Sequence, residues 1–126
     1  MRAMLSIRPE YVARILSGEK TYEYRRRVFR NADVDKIVIY ATSPQSAVVA
    51  EADIDHVLEA SPEDLWRRTG TSGGIGKEKF MAYFHDVNTA YAIKLKDVMC
   101  LETPQALSEY APSVKRPPQS FVYLDD

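Results

Sequence analysis

The chain has 126 residues, of which 45% are hydrophobic and 28% are charged. This length and this balance are typical of one folded domain, predicted over residues 1–126, and they exclude an intrinsically disordered chain. The net charge of −1 argues against a general binder of polyanions.

The charge is unevenly distributed along the chain. Residues 1–30 contain eight Lys/Arg and three Asp/Glu (net +5), residues 31–70 contain three and eight (net −5), and residues 71–126 contain six and seven (net −1). This segregation indicates either a local anionic partner or two blocks that neutralise each other in the fold.

Two features bear on location and redox chemistry. No apolar run approaches the roughly 20 residues that cross a bilayer, and the first residues lack the pattern of a signal peptide, so we expect no membrane association and a cytoplasmic location. Cys100 is the only cysteine, which excludes an intrachain disulfide, and within "DVMCLE" we expect it to be a small buried apolar residue.

The first elements are predicted from local signals. "AMLSI" is a short apolar run typical of a strand, Arg8-Pro9 begins a helix, and Gly18 ends it. In "TYEYR", which follows, alternation places Thr21, Glu23 and Arg25 on one face of a strand and Tyr22, Tyr24 and Arg26 on the other.

The rest of the chain continues this mixture of strands and short helices. Strands are predicted at 35–42, 46–60, 89–102 and 120–124, and helices at 62–69, 77–86 and around 105–110. Ser61 is a hydroxyl N-cap followed by proline and two acids, which is a typical helix start. The pattern predicts an α+β fold with a curled sheet or barrel.

The stretch Gly18-x-Lys20-x-x-Glu23-x-Arg25 resembles the motif of the ASCH domains, where it also follows a strand and a helix. The resemblance extends over "LSIRPEYVARILSGEKTYEYRRR", "KIVIYATSP", "AYAIKL" and "PPQSFVYL", which are similar to bacterial and archaeal ASCH proteins described as predicted transcriptional regulators. It implies a small PUA-like β-barrel with three or four short flanking helices and a cleft beside the first helix. The ligand implied is RNA or a modified nucleoside, with DNA left open and no cofactor.

The motif also makes chemical sense as a nucleotide site. A carboxylate accepts hydrogen bonds from an exocyclic amine, and cations hold phosphate. The candidate binding residues are Ser6, Arg8, Lys20, Glu23, Arg25, Arg26 and Tyr40. The alternative is that Glu23 and Arg25 form an exposed cross-strand ion pair of little consequence.

The tyrosines, the glycine-rich segment and the two histidines are further candidates for binding or catalysis. Tyr40, just before "ATSP", is the tyrosine best placed to contact a base, whereas most tyrosines at alternating strand positions are core residues. "GTSGGIGK" (70–77) departs from a phosphate-binding loop at two positions, so its glycines are expected to form a mobile lid or a tight start of a helix. His56 and His85 lie far apart without a third ligand pattern, so no metal is expected.

Three functional hypotheses follow. The first is a reader of RNA or nucleotides. The second is an enzyme, because ASCH relatives include an amidohydrolase acting on N4-acylated cytidine and a ribonuclease, and Lys20, Glu23 and Tyr40 are then the candidate catalytic residues. In the amidohydrolase relatives the lysine is joined by a Thr and a Glu, but here Glu23 stands in the place of the Thr. The third hypothesis is a protein-interaction module with an unknown partner.

Overall fold

A computed structural model of the chain describes residues 1–124. The helices are α1 Pro9–Leu16, α2 Pro62–Thr69, α3 Lys77–Tyr83 and α4 Leu107–Tyr110. The strands are β1 Arg2–Ile7, β2 Tyr22–Arg25, β3 Lys36–Ala41, β4 Ala47–Ala60, β5 Ala90–Gln105 and β6 Phe121–Leu124.

The strands of residues 1–124 form one sheet in the order β2-β5-β4-β3-β1-β6. Only β1 and β3 are parallel; the other neighbouring pairs are antiparallel. The predicted α+β class is therefore confirmed, but the predicted barrel is not closed. The edge strands β2 and β6 have four residues each and do not pair with each other in the described part of the chain.

Local signals position the first two helices. Pro9 is the first residue of α1, and Gly18 beyond its end has φ +86°, a conformation that favours glycine. The Ser61 side chain accepts a hydrogen bond from the Asp64 backbone N–H at 3.2 Å, which caps α2. The helix starts predicted at these positions are confirmed.

Apolar residues pack on both faces of the sheet. Val12 and Ile15 of α1 cover one face, beside residues such as Ile39 and Ile93. The other face carries two clusters. One, between β1, β3, β4 and α4, contains Tyr40. The second cluster covers the other end of this face, near β2, β5, α2 and α3, and its buried members are Tyr24, Leu65, Phe80, Phe84, Ala90 and Ala92. α1 therefore packs on one face of the sheet, and α2 and α3 pack on the other.

The expectation that Cys100 is buried is wrong, because its side chain is exposed. Within residues 1–124, β2 pairs with β5 only as far as Lys94, so the later part of β5 has β4 as its sole partner strand. Met99 beside it is 70% exposed.

Tyr123, expected in the core with the other strand tyrosines, is 40% exposed on the edge strand β6. Its neighbours Phe121 and Leu124 are partly buried and buried. None of the helices in residues 1–124 is long and apolar enough to cross a membrane, and the cytoplasmic location stays a prediction.

Candidate functional site

A cleft of about 550 Å³ lies between β2, the end of β1 and two helices, α1 and α3. Ser6 and Ile7, the last residues of β1, extend beyond the part paired with β6 and line the cleft. Five of the predicted site residues line it: Ser6, Arg8, Lys20, Glu23 and Arg25.

Lys20 lies in the wall of the cleft and is only 3% exposed. Its Nζ donates to the carbonyl of Gly73 at 2.7 Å and lies 3.6 Å from Oε1 of Glu23. The ammonium also sits 4.7 Å from the centre of the Tyr24 ring. Burial lowers the pKa of Lys20 below its usual value, and the Glu23 carboxylate opposes this by favouring the charged form. Lys20 is therefore easier to deprotonate than a surface lysine.

Glu23 connects Lys20 to Arg25. Glu23 is 5% exposed, and its Oε2 lies 3.6 Å from Nη1 of Arg25. Nη2 of Arg25 in turn donates to the carbonyl of Ser120 at 2.7 Å, just before β6. The alternative of an exposed, solvated pair is wrong, because burial removes much of the solvent screening that makes surface pairs weak.

The glycine-rich loop 70–76 packs over the motif. The backbone N–H of Thr21 donates to Ser72 at 2.8 Å, and Nη1 of Arg14 donates to Gly74 at 2.6 Å. A Cβ at Gly73 would lie 2.0 Å from the Tyr24 hydroxyl oxygen, and Gly74 has φ +66°. Only glycine allows the loop backbone to come this close to Tyr24 and Lys20. The loop thereby covers Lys20, and α3 begins directly after it.

Two exposed cations complete the charge of the cleft. Arg8 and Lys79 line it, and their side chains have no hydrogen bond or ion pair among residues 1–124. With Lys20 and Arg25 the lining carries four cations and one carboxylate, Glu23. The cleft is therefore suited to an anion.

Two predicted residues lie outside the lining. Nη2 of Arg26 forms a 2.5 Å ion pair with Asp86, and Nη1 donates to the carbonyl of Tyr83 at 2.8 Å, so Arg26 holds the end of α3 beside the cleft. Tyr40 is 5% exposed and packs in the cluster between the sheet and α4.

Ser6 is the strand partner of Tyr40 in β1. It lines the cleft, and its hydroxyl donates to the carbonyl of Pro118 at 2.7 Å. This bond holds the segment before β6 against the end of β1.

Sequence reasoning missed four polar or aromatic lining residues. Tyr11 of α1 and Tyr24 of β2 line the cleft, and so do Lys79 and Tyr83 of α3. Lys79 and Tyr83 are four residues apart and therefore share one face of α3, a spacing that the sequence does show. However, nothing in the sequence of the motif indicates that α3 forms the opposite wall of the cleft.

No group of three or more His, Cys, Asp or Glu side chains suited to a metal ion occurs within residues 1–124. The expectation that the protein binds no metal remains a prediction.

Comparison with known proteins places these features in context. The family model of the ASCH domain matches residues 5–99. An ASCH domain-containing ribonuclease of Zymomonas mobilis subsp. mobilis is 32% identical over 124 residues, which are 97% of this chain and 83% of that protein. The crystal structure of ASCH from Zymomonas mobilis superposes with a TM-score of 0.89 at 31% identity, covering 98% of this chain and 87% of that chain.

A further match is partial. The large ribosomal subunit protein uL22 of Ureaplasma parvum is 30% identical over 89 residues, which are 71% of this chain and 28% of that protein. None of these descriptions supports the resemblance to transcriptional regulators. The family match, the relative of similar length and the shared fold lead to one conclusion: the chain belongs to the ASCH domain family.

Proposed function

We propose that the protein is a ribonuclease that binds single-stranded RNA in the cleft and cleaves it with Lys20 as the proton-transfer group. The observation that carries the proposal is the buried Lys20, paired with Glu23, in the wall of a cation-lined cleft. The similarity to a protein named as a ribonuclease supports the same substrate class.

The cleft offers separate contacts for phosphate and base. Arg8, Arg25 and Lys79 supply positive charge for the phosphodiester, and arginine in particular matches its geometry. The rings of Tyr11 and Tyr83 line the same space, and bases in single-stranded RNA stack on aromatic side chains. A single-stranded substrate is favoured because its bases are free to make these contacts.

The chemistry needs only proton transfer and charge stabilisation. Neutral Lys20 accepts the proton of the ribose 2′-hydroxyl, whose oxygen attacks the adjacent phosphorus. The bond from phosphorus to the 5′ oxygen breaks, and that oxygen receives the proton from Lys20. The products are a 2′,3′-cyclic phosphate and a 5′-hydroxyl. The lowered pKa of Lys20 suits this step, because a catalytic group works best when its pKa lies near the working pH.

The other hypotheses have less support. Deacylation of N4-acylated cytidine is disfavoured because Glu23 stands where those relatives carry a Thr, and the loop that covers Lys20 contributes a carbonyl rather than a carboxylate. A reader that binds RNA without cleaving it would use the same cleft. The protein-interaction hypothesis stays a prediction.

The test uses Lys20→Met, which keeps most of the side-chain volume and removes the ammonium. The matched control is Lys36→Met, whose lysine lies outside the cleft in an exposed ion pair with Asp53. Each purified protein is incubated with end-labelled single-stranded RNA and, separately, with N4-acetylcytidine.

We expect RNA cleavage to fall by about a hundredfold or more in Lys20→Met and to be unchanged in Lys36→Met. Circular dichroism checks that both variants fold. Cleavage by Lys20→Met at the wild-type rate would refute the proposed role, and RNA binding without cleavage by the wild type would favour the reader. Release of cytidine would favour the amidohydrolase.

A further inference from the structure

A second recess adjoins the cleft on the side of the C-terminal segment. It is a shallow groove of about 670 Å³ lined by residues 113–123. None of the described residues that line this groove belongs to the lining of the cleft.

The groove and the cleft share a wall. From the cleft side, Ser6 Oγ donates to the carbonyl of Pro118 and Arg25 Nη2 donates to the carbonyl of Ser120, both at 2.7 Å. Pro118 and Ser120 line the groove, whereas Ser6 and Arg25 line the cleft. Residues 118–120 therefore lie between the cleft and the groove.

The described part of the groove is basic. Lys115 and Arg116 line it and are exposed, and among residues 1–124 its lining contains no Asp or Glu. Lys115 donates to the carbonyl of Pro112 at 3.3 Å, a contact that leaves its charge uncompensated. Arg116 has no side-chain hydrogen bond or ion pair among residues 1–124. Exposed cations that have no acidic partner can bind the phosphates of a nucleic-acid backbone.

The groove also presents a fixed aromatic surface. Tyr123 is 40% exposed, and its ring packs edge to face against Phe121 with centroids 5.4 Å apart. Its hydroxyl oxygen accepts from the backbone N–H groups of Arg30 at 3.3 Å and Asn31 at 3.4 Å. These contacts hold the ring in place, so little conformational entropy is lost when a base stacks on it.

We propose that this groove is a subsite for the nucleotides that flank the scissile phosphate, so that single-stranded RNA several nucleotides long is cleaved more efficiently than a dinucleotide, which occupies the cleft alone. The inference rests on the proposed function, because the cleft must hold the reacting nucleotides. Since every base has a stacking face and the cations contact phosphate, the subsite has little base preference.

The test compares a dinucleotide with a decanucleotide of single-stranded RNA. The variant is Lys115→Ala/Arg116→Ala, and the matched control is Arg67→Ala/Arg68→Ala. The control removes the same charge from two exposed residues of α2 that line neither recess. The measurements are kcat/KM for both substrates and the salt dependence of decanucleotide binding.

We expect the groove variant to lose activity on the decanucleotide but not on the dinucleotide. Loss of two phosphate contacts should also reduce the log–log salt slope by about 1.4, at roughly 0.7 per contact. The control variant should match the wild type in both respects. Equal activity of the groove variant and the wild type on the decanucleotide would overturn the subsite and leave the proposed function standing. Failure of the wild type to cleave either RNA would overturn the proposed function and the subsite with it.

Discussion

Replacing Gly73 with serine tests whether the glycine-rich loop sets the state of Lys20. A Cβ at this position would lie 2.0 Å from the hydroxyl oxygen of Tyr24 and 2.5 Å from its ring atoms. Tyr24 cannot move aside easily, because its ring packs at 4.8 Å centroid distance from Phe80 and its hydroxyl bonds Thr69 at 2.7 Å. The loop itself must therefore shift.

The magnitude follows from the distances. An ordinary contact at 3.4 Å requires the Cβ to gain about 1.4 Å, which would break the 2.7 Å hydrogen bond from Lys20 to the Gly73 carbonyl. Overpacking costs about 1–3 kcal/mol, and losing a hydrogen bond to a charged group costs about 1.5–3 kcal/mol. We expect Gly73→Ser to lower the free energy of unfolding by about 3 kcal/mol and to abolish most RNA cleavage.

Urea unfolding and RNA cleavage measure the two effects. The matched control is Gly76→Ser, because a Cβ at Gly76 meets no atom within 4 Å and serine is a good residue at this N-cap of α3. The control should unfold within about 0.5 kcal/mol of the wild type and cleave normally. If Gly73→Ser matches Gly76→Ser in both assays, the loop does not constrain Lys20 and the reasoning is refuted.

Three further predictions concern charge. Glu23→Gln removes the carboxylate that raises the pKa of Lys20, so the rising limb of the cleavage pH profile should move to lower pH; an unmoved limb would show that Lys20 is not the titrating base. Arg8→Ala/Lys79→Ala should reduce the log–log salt slope of RNA binding by about 1.4, and an unchanged slope would place the phosphates elsewhere. Burial and a hydrogen bond to a carboxylate raise the pKa of Tyr110 to about 12. The protonated hydroxyl should therefore stabilise the fold fully below about pH 10, and this contribution to the free energy of unfolding should be lost as the pH rises towards 12. Urea midpoints across that range should fall in the wild type and less in Tyr110→Phe, and parallel curves would contradict this.

Much of the motif side of the site could be predicted because it is local. Alternation along "TYEYR" predicted that Glu23 and Tyr24 point to opposite faces of the strand. The register confirms this, because Glu23 pairs with Ile93 and Tyr24 with Ala92, which belong to clusters on opposite faces of the sheet. Proline, glycine and the Ser61 cap act within one helical turn, so the helix starts were also predictable.

The opposite wall of the cleft could not be predicted because it depends on tertiary packing. Lys79 and Tyr83 reach the motif only because α3 packs over β2 and β5 through Phe80 and Phe84. Tyr40 was predicted as a ligand contact from its place before a turn, but the distant helix α4 packs over it on that face of the sheet. The apolar neighbours of Cys100 in the sequence predicted that it is buried. It is exposed because this part of β5 extends beyond the residues that pair with β2.

Two cations of the cleft and one beside it are oriented by main-chain oxygens: Lys20 by Gly73, Arg25 by Ser120 and, outside the lining, Arg14 by Gly74. Any amino acid supplies a carbonyl, so a protein of this fold can exchange most side chains of these two acceptor loops without losing the contacts. The exception is a position such as Gly73, where the Cβ has no room. The hydrogen-bond donors of the site thus depend on residue type, whereas the acceptors depend only on the backbone conformation of the loops. A search for this site in other proteins should therefore compare the positions of the carbonyl oxygens rather than the loop sequences.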